Sequence, residues 1–220
     1  MAERESTDFL YPFIESDERD TAGLLADLAR SADAKAVLSE QLRAATLTAY
    51  ADALAAAATA MAERFLGGGQ LFVFGNGGSS TDAATIAELY ARPPIGRGFP
   101  ARSLVDDQAV LTALSNDVGF ELVFSRQLIA HARAGDIALG VSTSGNSQNL
   151  MTAFAEARRR NLLTVGLAGH DGGGMAVPGV VEHCIVVRSD SVHRVQETQA
   201  GVALDLWDRV QRSFEEMSHR

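Results

Sequence analysis

Five short apolar runs, Leu71–Phe74, Ser103–Val105, Ile137–Val141, Leu163–Ala168 and Cys184–Val187, recur along the chain with helical patterns between them. Apolar runs bounded by turn residues read as strands covered on both faces. The patterns at 80–91, 108–115, 120–133 and 147–160, and a final one from about 192 to 216, are long enough to return the chain across a sheet. Strands joined by such crossovers run parallel, so the segment order restricts the chain to an α/β fold, a five-stranded parallel sheet flanked by helices. The 220 residues fit one such domain with an N-terminal extension.

Residues 1–20 are polar and charged apart from the aromatic island Phe9-Leu10-Tyr11-Pro12-Phe13, and are expected to be loosely ordered or docked on a neighbouring subunit. The domain is therefore taken as 21–220. From Thr21 to Leu66 apolar residues fall at helical spacing (Leu24, Leu25, Leu28, then Val37, Leu38, Leu42, then Leu47, Tyr50, Leu54), and Gly67-Gly68-Gly69 ends the segment. The small, apolar stretch Ala53 to Ala62 suits close helix packing on two sides, hence N-terminal helices used for oligomerisation.

The net charge of −9 opposes nucleic-acid binding, and Arg158-Arg159-Arg160 reads as a solvated helix C-terminus. No uncharged apolar stretch approaches the roughly 20 residues of a membrane span. The N-terminal sequence has no apolar h-region, so no membrane association or secretory leader is expected. The lone Cys184 excludes an internal disulfide, suits a reducing cytoplasm and reads as a structural thiol.

Two turns carry the chemistry. Gly75-Asn76-Gly77-Gly78-Ser79-Ser80 and Ser142-Thr143-Ser144-Gly145-Asn146-Ser147 each follow an apolar run and precede a helical pattern. Each is expected to present hydroxyls and backbone N–H groups at a helix N-terminus, an arrangement that holds phosphate. A dinucleotide fingerprint fails because Ser80 stands at its third glycine, and no Lys-Ser or Lys-Thr pair makes a P-loop. The expected ligand is a small phosphorylated molecule.

These turns and their strands resemble the sugar isomerase (SIS) domain, and within it the phosphoheptose isomerases and their non-catalytic relatives that associate with the replication initiator. The resemblance runs from about Leu42 to the C-terminus. It includes Leu111-Thr112-Ala113, Asn116-Asp117, Phe124-Ser125-Arg126-Gln127, Gly140–Ser147, Leu167–Gly174 and Arg194-Val195-Gln196-Glu197. It implies a cytoplasmic homotetramer with sites at subunit interfaces, converting sedoheptulose 7-phosphate into an aldoheptose phosphate. Ser79, Ser142, Ser144 and Ser147 resemble the phosphate-binding serines, with Thr143 in the same turn. Asn76 lines the same pocket, and Asp107 resembles a substrate-contacting aspartate.

The catalytic positions depart from the family pattern. Counted without a gap from Ser79, the family histidine and glutamate positions hold Thr85 and Leu89. A one-residue deletion before Ala87 instead puts Glu88 at the glutamate, Arg92 at an arginine four residues on and Ala84 at the histidine. That alignment is preferred, making Glu88 the candidate base, with an exposed (i, i+4) pair to Arg92 as its competing role. On the last helix Gln196 matches the family glutamine, whereas Leu204 stands where a second histidine belongs. No zinc and no other cofactor is expected, because at most two of four family ligands remain. His193, three residues before Gln196, is the local replacement acid/base. His170 sits in a loop that could border a sugar, and His131 and His183 lie away from the serine turns. Asp82 reads as a first-turn helix acid without chemistry. Loss of the histidine leaves open a second reading, a catalytically inactive sugar-phosphate sensor or protein-binding scaffold.

Overall fold

The structure is a computed structural model, described over residues 21–219. The N-terminal extension and its aromatic island lie outside the described residues. Contacts divide the chain between Leu38 and Ser39. The described part of the first unit is the opening of helix α1 (Thr21–Ala49), on which Leu24, Leu25, Leu28, Val37 and Leu38 are exposed.

The second unit continues through α2 (Ala51–Leu66) and then alternates: β1 (Leu71–Gly75), α3 (Gly78–Ala91), β2 (Ala101–Ser103), α4 (Gln108–Asp117), α5 (Val123–His131), β3 (Ile137–Ser142), α6 (Gln148–Arg159), β4 (Leu163–Gly169), β5 (His183–Val187) and α7 (Val192–Ser218). Tyr50 leaves helical geometry between α1 and α2, yet its N–H donates to Thr46 O and its carbonyl accepts from Leu54 N. The segment expected as one helix from 120 begins with a tight 3₁₀ turn, Phe120–Leu122.

All five strands are parallel, in the order β2-β1-β3-β4-β5. The expected strand at Ser103–Val105 lies two residues earlier, at Ala101–Ser103. As the edge strand it exposes Arg102, so it lacks the unbroken apolar run that marks a doubly covered strand. Leu104 is buried just beyond it and donates its N–H to Val73 O.

Successive side chains of β1 go to opposite faces. Leu71 and Val73 join Leu54, Met61, Phe65, Ile86, Leu206 and Trp207 beneath α2, α3 and α7. Phe72 and Phe74 join Phe124, Leu128, Leu150 and Phe154 beneath α5 and α6. Both faces of the sheet are thus sealed, and its free chemistry is left to the loops at the strand ends.

Candidate functional site

The chain leaves β1 for β2 on one side and later places β3 against the other side of β1, so the winding reverses between β1 and β3. A crevice opens outside the carboxyl ends of strands at such a reversal. Both serine turns arise there, because Gly75 is the register partner of Val141.

A reciprocal amide pair ties the turns together. Asn76 Nδ2 donates to Asn149 Oδ1 at 2.8 Å, and Asn149 Nδ2 donates to Asn76 Oδ1 at 2.9 Å. Asn149 is buried, and its Oδ1 also accepts from Leu150 N at 3.0 Å, while its Nδ2 is satisfied by Asn76.

In the first turn, Gly77 has φ +55° and leads into α3 without a side-chain cap. Ser80 Oγ donates to Gly77 O at 2.6 Å. Ser79 is buried, and its hydroxyl makes no hydrogen bond within the described residues. In the second turn, Ser142 Oγ accepts from Gly145 N at 3.0 Å and Ser144 Oγ accepts from Asn146 N at 3.2 Å. A hydroxyl that accepts a backbone N–H keeps its own proton free for an anion. Ser147 occupies the N-cap position of α6 with no side-chain bond to the helix, and Thr143 is half-buried between the serines.

The loop after β4 buttresses the second turn: Asn146 Oδ1 accepts from Gly174 N at 2.8 Å, and Gly145 O accepts from Met175 N at 3.0 Å. Helix α7 closes the back. Gln199 Nε2 donates to Ser142 O at 3.2 Å and to Leu167 O at 3.1 Å, clamping the ends of β3 and β4. Gln196 reaches the start of α3, where its Nε2 would lie 2.1 Å from a Cβ added at Gly78. Sequence reasoning missed Asn149 and Gln199; their only signal is a polar residue on the inward face of an amphipathic helix.

The remaining expected residues are not brought into this arrangement. Asp107 caps α4, its Oδ1 accepting from Val110 N at 3.0 Å. It lines a groove along the β2 edge with Arg102, Asp106, Gln127 and His131, and no serine-turn residue lines that groove. His193 is exposed at the start of α7, and His170 stands 3.9 Å from Asp190. Burial pushes the Cys184 thiol up to about 11, which leaves it a poor nucleophile at neutral pH.

Glu88 is exposed on α3 and accepts from Arg92 Nε at 2.6 Å, with a second contact from Arg92 Nη2. Its neighbour Leu89 faces the other way. Leu89 lines a cavity of about 60 Å³ with Asp82, Thr85 and Ile86 of α3 and Ala200, Ala203 and Leu204 of α7. The ungapped alignment, with Thr85 and Leu89 at the family positions, is thus the one whose residues converge with Leu204. Two leucines and a threonine around that cavity do not fit zinc, which needs several N, S or carboxylate donors. Among the described residues, no three His, Cys, Asp or Glu side chains gather as a metal-binding set.

Residues 36–169 match the family model of the SIS domain. The chain belongs to the SIS domain family. Phosphoheptose isomerase of Geobacter sp. (strain M21) is 40% identical over 164 residues, covering 74% of this chain and 84% of that one. Phosphoheptose isomerase of Sulfurimonas denitrificans is 43% identical over 142 residues, covering 64% and 72%. The solved phosphoheptose isomerase of Neisseria gonorrhoeae superposes with a TM-score of 0.77 at 30% identity, over 84% of this chain and 99% of that chain. That from Francisella tularensis gives 0.77 at 28%, over 84% and 98%. The chain is a phosphoheptose isomerase-like SIS protein. Among the described residues of this SIS protein, no helix is long and apolar enough to cross a membrane.

Proposed function

We propose that this SIS protein binds a sugar phosphate, gripping its phosphoryl group between the two serine turns, and interconverts the ketose and aldose forms of a heptose or related sugar phosphate in the cytoplasm. The observation that carries the reading is the Asn76–Asn149 pair, which holds the two hydroxyl-bearing strand ends against one another at the reversal of the sheet. Ser79, Ser142, Thr143, Ser144 and Ser147 supply neutral donors, and the N-termini of α3 and α6 add their dipoles. Asn76 lines the cradle, and Gln196 closes it from α7.

Thermal denaturation tests the reading. A ligand at about 100 times its Kd that binds only the native state adds ~2.7 kcal/mol, which is roughly 5–10 °C in Tm for a chain of this size. Sedoheptulose 7-phosphate is expected to raise Tm by such an amount, and Ser79→Ala/Ser144→Ala to remove the rise. A flat response to a panel of sugar phosphates, or a rise that survives the double substitution, overturns the cradle.

The leucines at 89 and 204 favour a second reading, a sensor or scaffold that keeps the phosphate and has lost the chemistry. Absence of turnover despite a thermal shift decides for it.

Assembly is part of the proposal. The exposed Leu24, Leu25, Leu28, Val37 and Leu38 of α1 leave apolar area that a homo-oligomer, the tetramer implied by the resemblance, would cover. Light scattering on the eluting protein is expected to give a multiple of the single-chain mass. The mass of one chain at micromolar concentration overturns this expectation.

A further inference from the structure

Asp82 stands one turn beyond Ser79 on α3, and its Oδ2 is fully buried without a hydrogen-bond partner among the described residues. An unpaired carboxylate oxygen shut away from water is costly. Local structure supplies no reason for it, since Gly77 and not Asp82 holds the N-cap position of α3. Asp82 lines the cavity of about 60 Å³ between α3 and α7, whose other lining residues carry no charge. The Thr85 hydroxyl in that lining is already committed, donating to Thr81 O at 2.9 Å. Among the described residues, Asp82 is therefore the one ionisable side chain of the cavity. It is also attached to the helix whose first turn belongs to the cradle, and the residue as a whole is only half-buried. Desolvation raises its carboxyl above the ordinary 3.8, the direction that makes a carboxylate a better base near neutral pH.

We propose that Asp82 is the base that carries the proton between the two carbons of the bound sugar phosphate during ketose–aldose interconversion. This rests on the phosphosugar reading given above and assigns its chemistry. The carboxylate takes the proton from the carbon next to the carbonyl. The C–H electron pair becomes the enediol double bond, and the carbonyl pair moves onto its oxygen, which takes a proton from water. The Asp82 carboxylic acid then returns its proton to the former carbonyl carbon. The neighbouring hydroxyl gives its proton back to water as the new carbonyl forms. No oxidant or other reactant is consumed.

Solvent deuterium reports the step. In D₂O the wild-type protein is expected to place deuterium on the carbon next to the carbonyl of sedoheptulose 7-phosphate, followed by NMR. Asp82→Asn, which is nearly isosteric, is expected to slow this by about 100-fold or more, the usual range for loss of a general base. The same variant keeps the thermal shift with that ligand, which separates loss of chemistry from loss of fold. Exchange that persists in Asp82→Asn overturns the assignment, as does exchange lost in Glu88→Gln while Asp82→Asn remains active. A wild-type protein that shows the thermal shift but no exchange overturns it too, leaving sugar-phosphate binding intact. Without any shift in the wild type, the phosphosugar reading falls and the assignment with it.

Discussion

Gly145→Ala is expected to lower the stability of the fold by about 3 kcal/mol and to abolish any stabilisation by a sugar phosphate. Gly145 has φ +65°, a conformation that costs a residue with a Cβ roughly 1–3 kcal/mol by itself. The added carbon would also sit 2.0 Å from Gly172 O, a backbone atom that cannot swing aside as a side chain can. Relief requires the β4 loop to retreat, which breaks the bonds from Gly174 N to Asn146 Oδ1 and from Met175 N to Gly145 O. The second serine turn then loses its buttress. Thermal unfolding with and without ligand measures both effects. Gly179→Ala is the control, because Gly179 has φ +85° but open space around it. Similar losses at the two positions would show that backbone strain acts alone and that the contact with Gly172 is unimportant.

Phe74→Ala is expected to cost ~3–5 kcal/mol, about a fifth or more of the typical ~5–15 kcal/mol that holds a domain together. The Phe74 ring is fully buried, with centroids 5.4 Å from Phe124 and 5.3 Å from Phe154. It lies immediately before the first serine turn. Gly140, its register partner on β3, leaves room for these rings, since a Cβ there would come 2.5 Å from Phe154 Cζ. The aromatic cluster therefore fixes how β1 and β3 meet just below the cradle. Urea unfolding should give a lower midpoint with an unchanged slope, while Phe74→Leu, which retains more of the volume, should lose much less and keep the ligand shift. A loss below about 1 kcal/mol in Phe74→Ala would mean the rings reclose around the vacancy.

The serine turns were legible because their signal is local: glycines and hydroxyl residues between an apolar run and a helical pattern leave few other conformations. The doubly covered strands were legible for the same reason. The edge strand was displaced by two residues because the apolar run used to place it belongs to the buried turn at Leu104, while Arg102 of the strand itself faces water. The contributions of Asn149 and Gln199 were not legible. A buried amide in an amphipathic helix has the same appearance in a sequence whether it bonds its own helix or a distant turn, and only the partner's position distinguishes the two.

The α3 face shows the same boundary at single-residue resolution. Successive residues of a helix differ by about 100° in direction, so a one-residue choice of alignment decides whether Glu88 or Leu89 meets α7. Spacing alone admitted both. Packing chose Leu89 for the cavity, left Glu88 with Arg92 at the surface, and enclosed Asp82 Oδ2 without a partner among the described residues.

The order of strands and helices, the parallel sheet and the two donor-rich turns were determined by the sequence alone, because periodicity and turn chemistry act over a few neighbouring residues. Tertiary structure alone decided that β1 and β3 lie side by side, that Asn76 and Asn149 lock their turns together, and that Asp82 shares a cavity with Leu89 and Leu204. Those outcomes depend on contacts between residues far apart in the chain and on the rotation of packed helices, neither of which a local pattern records.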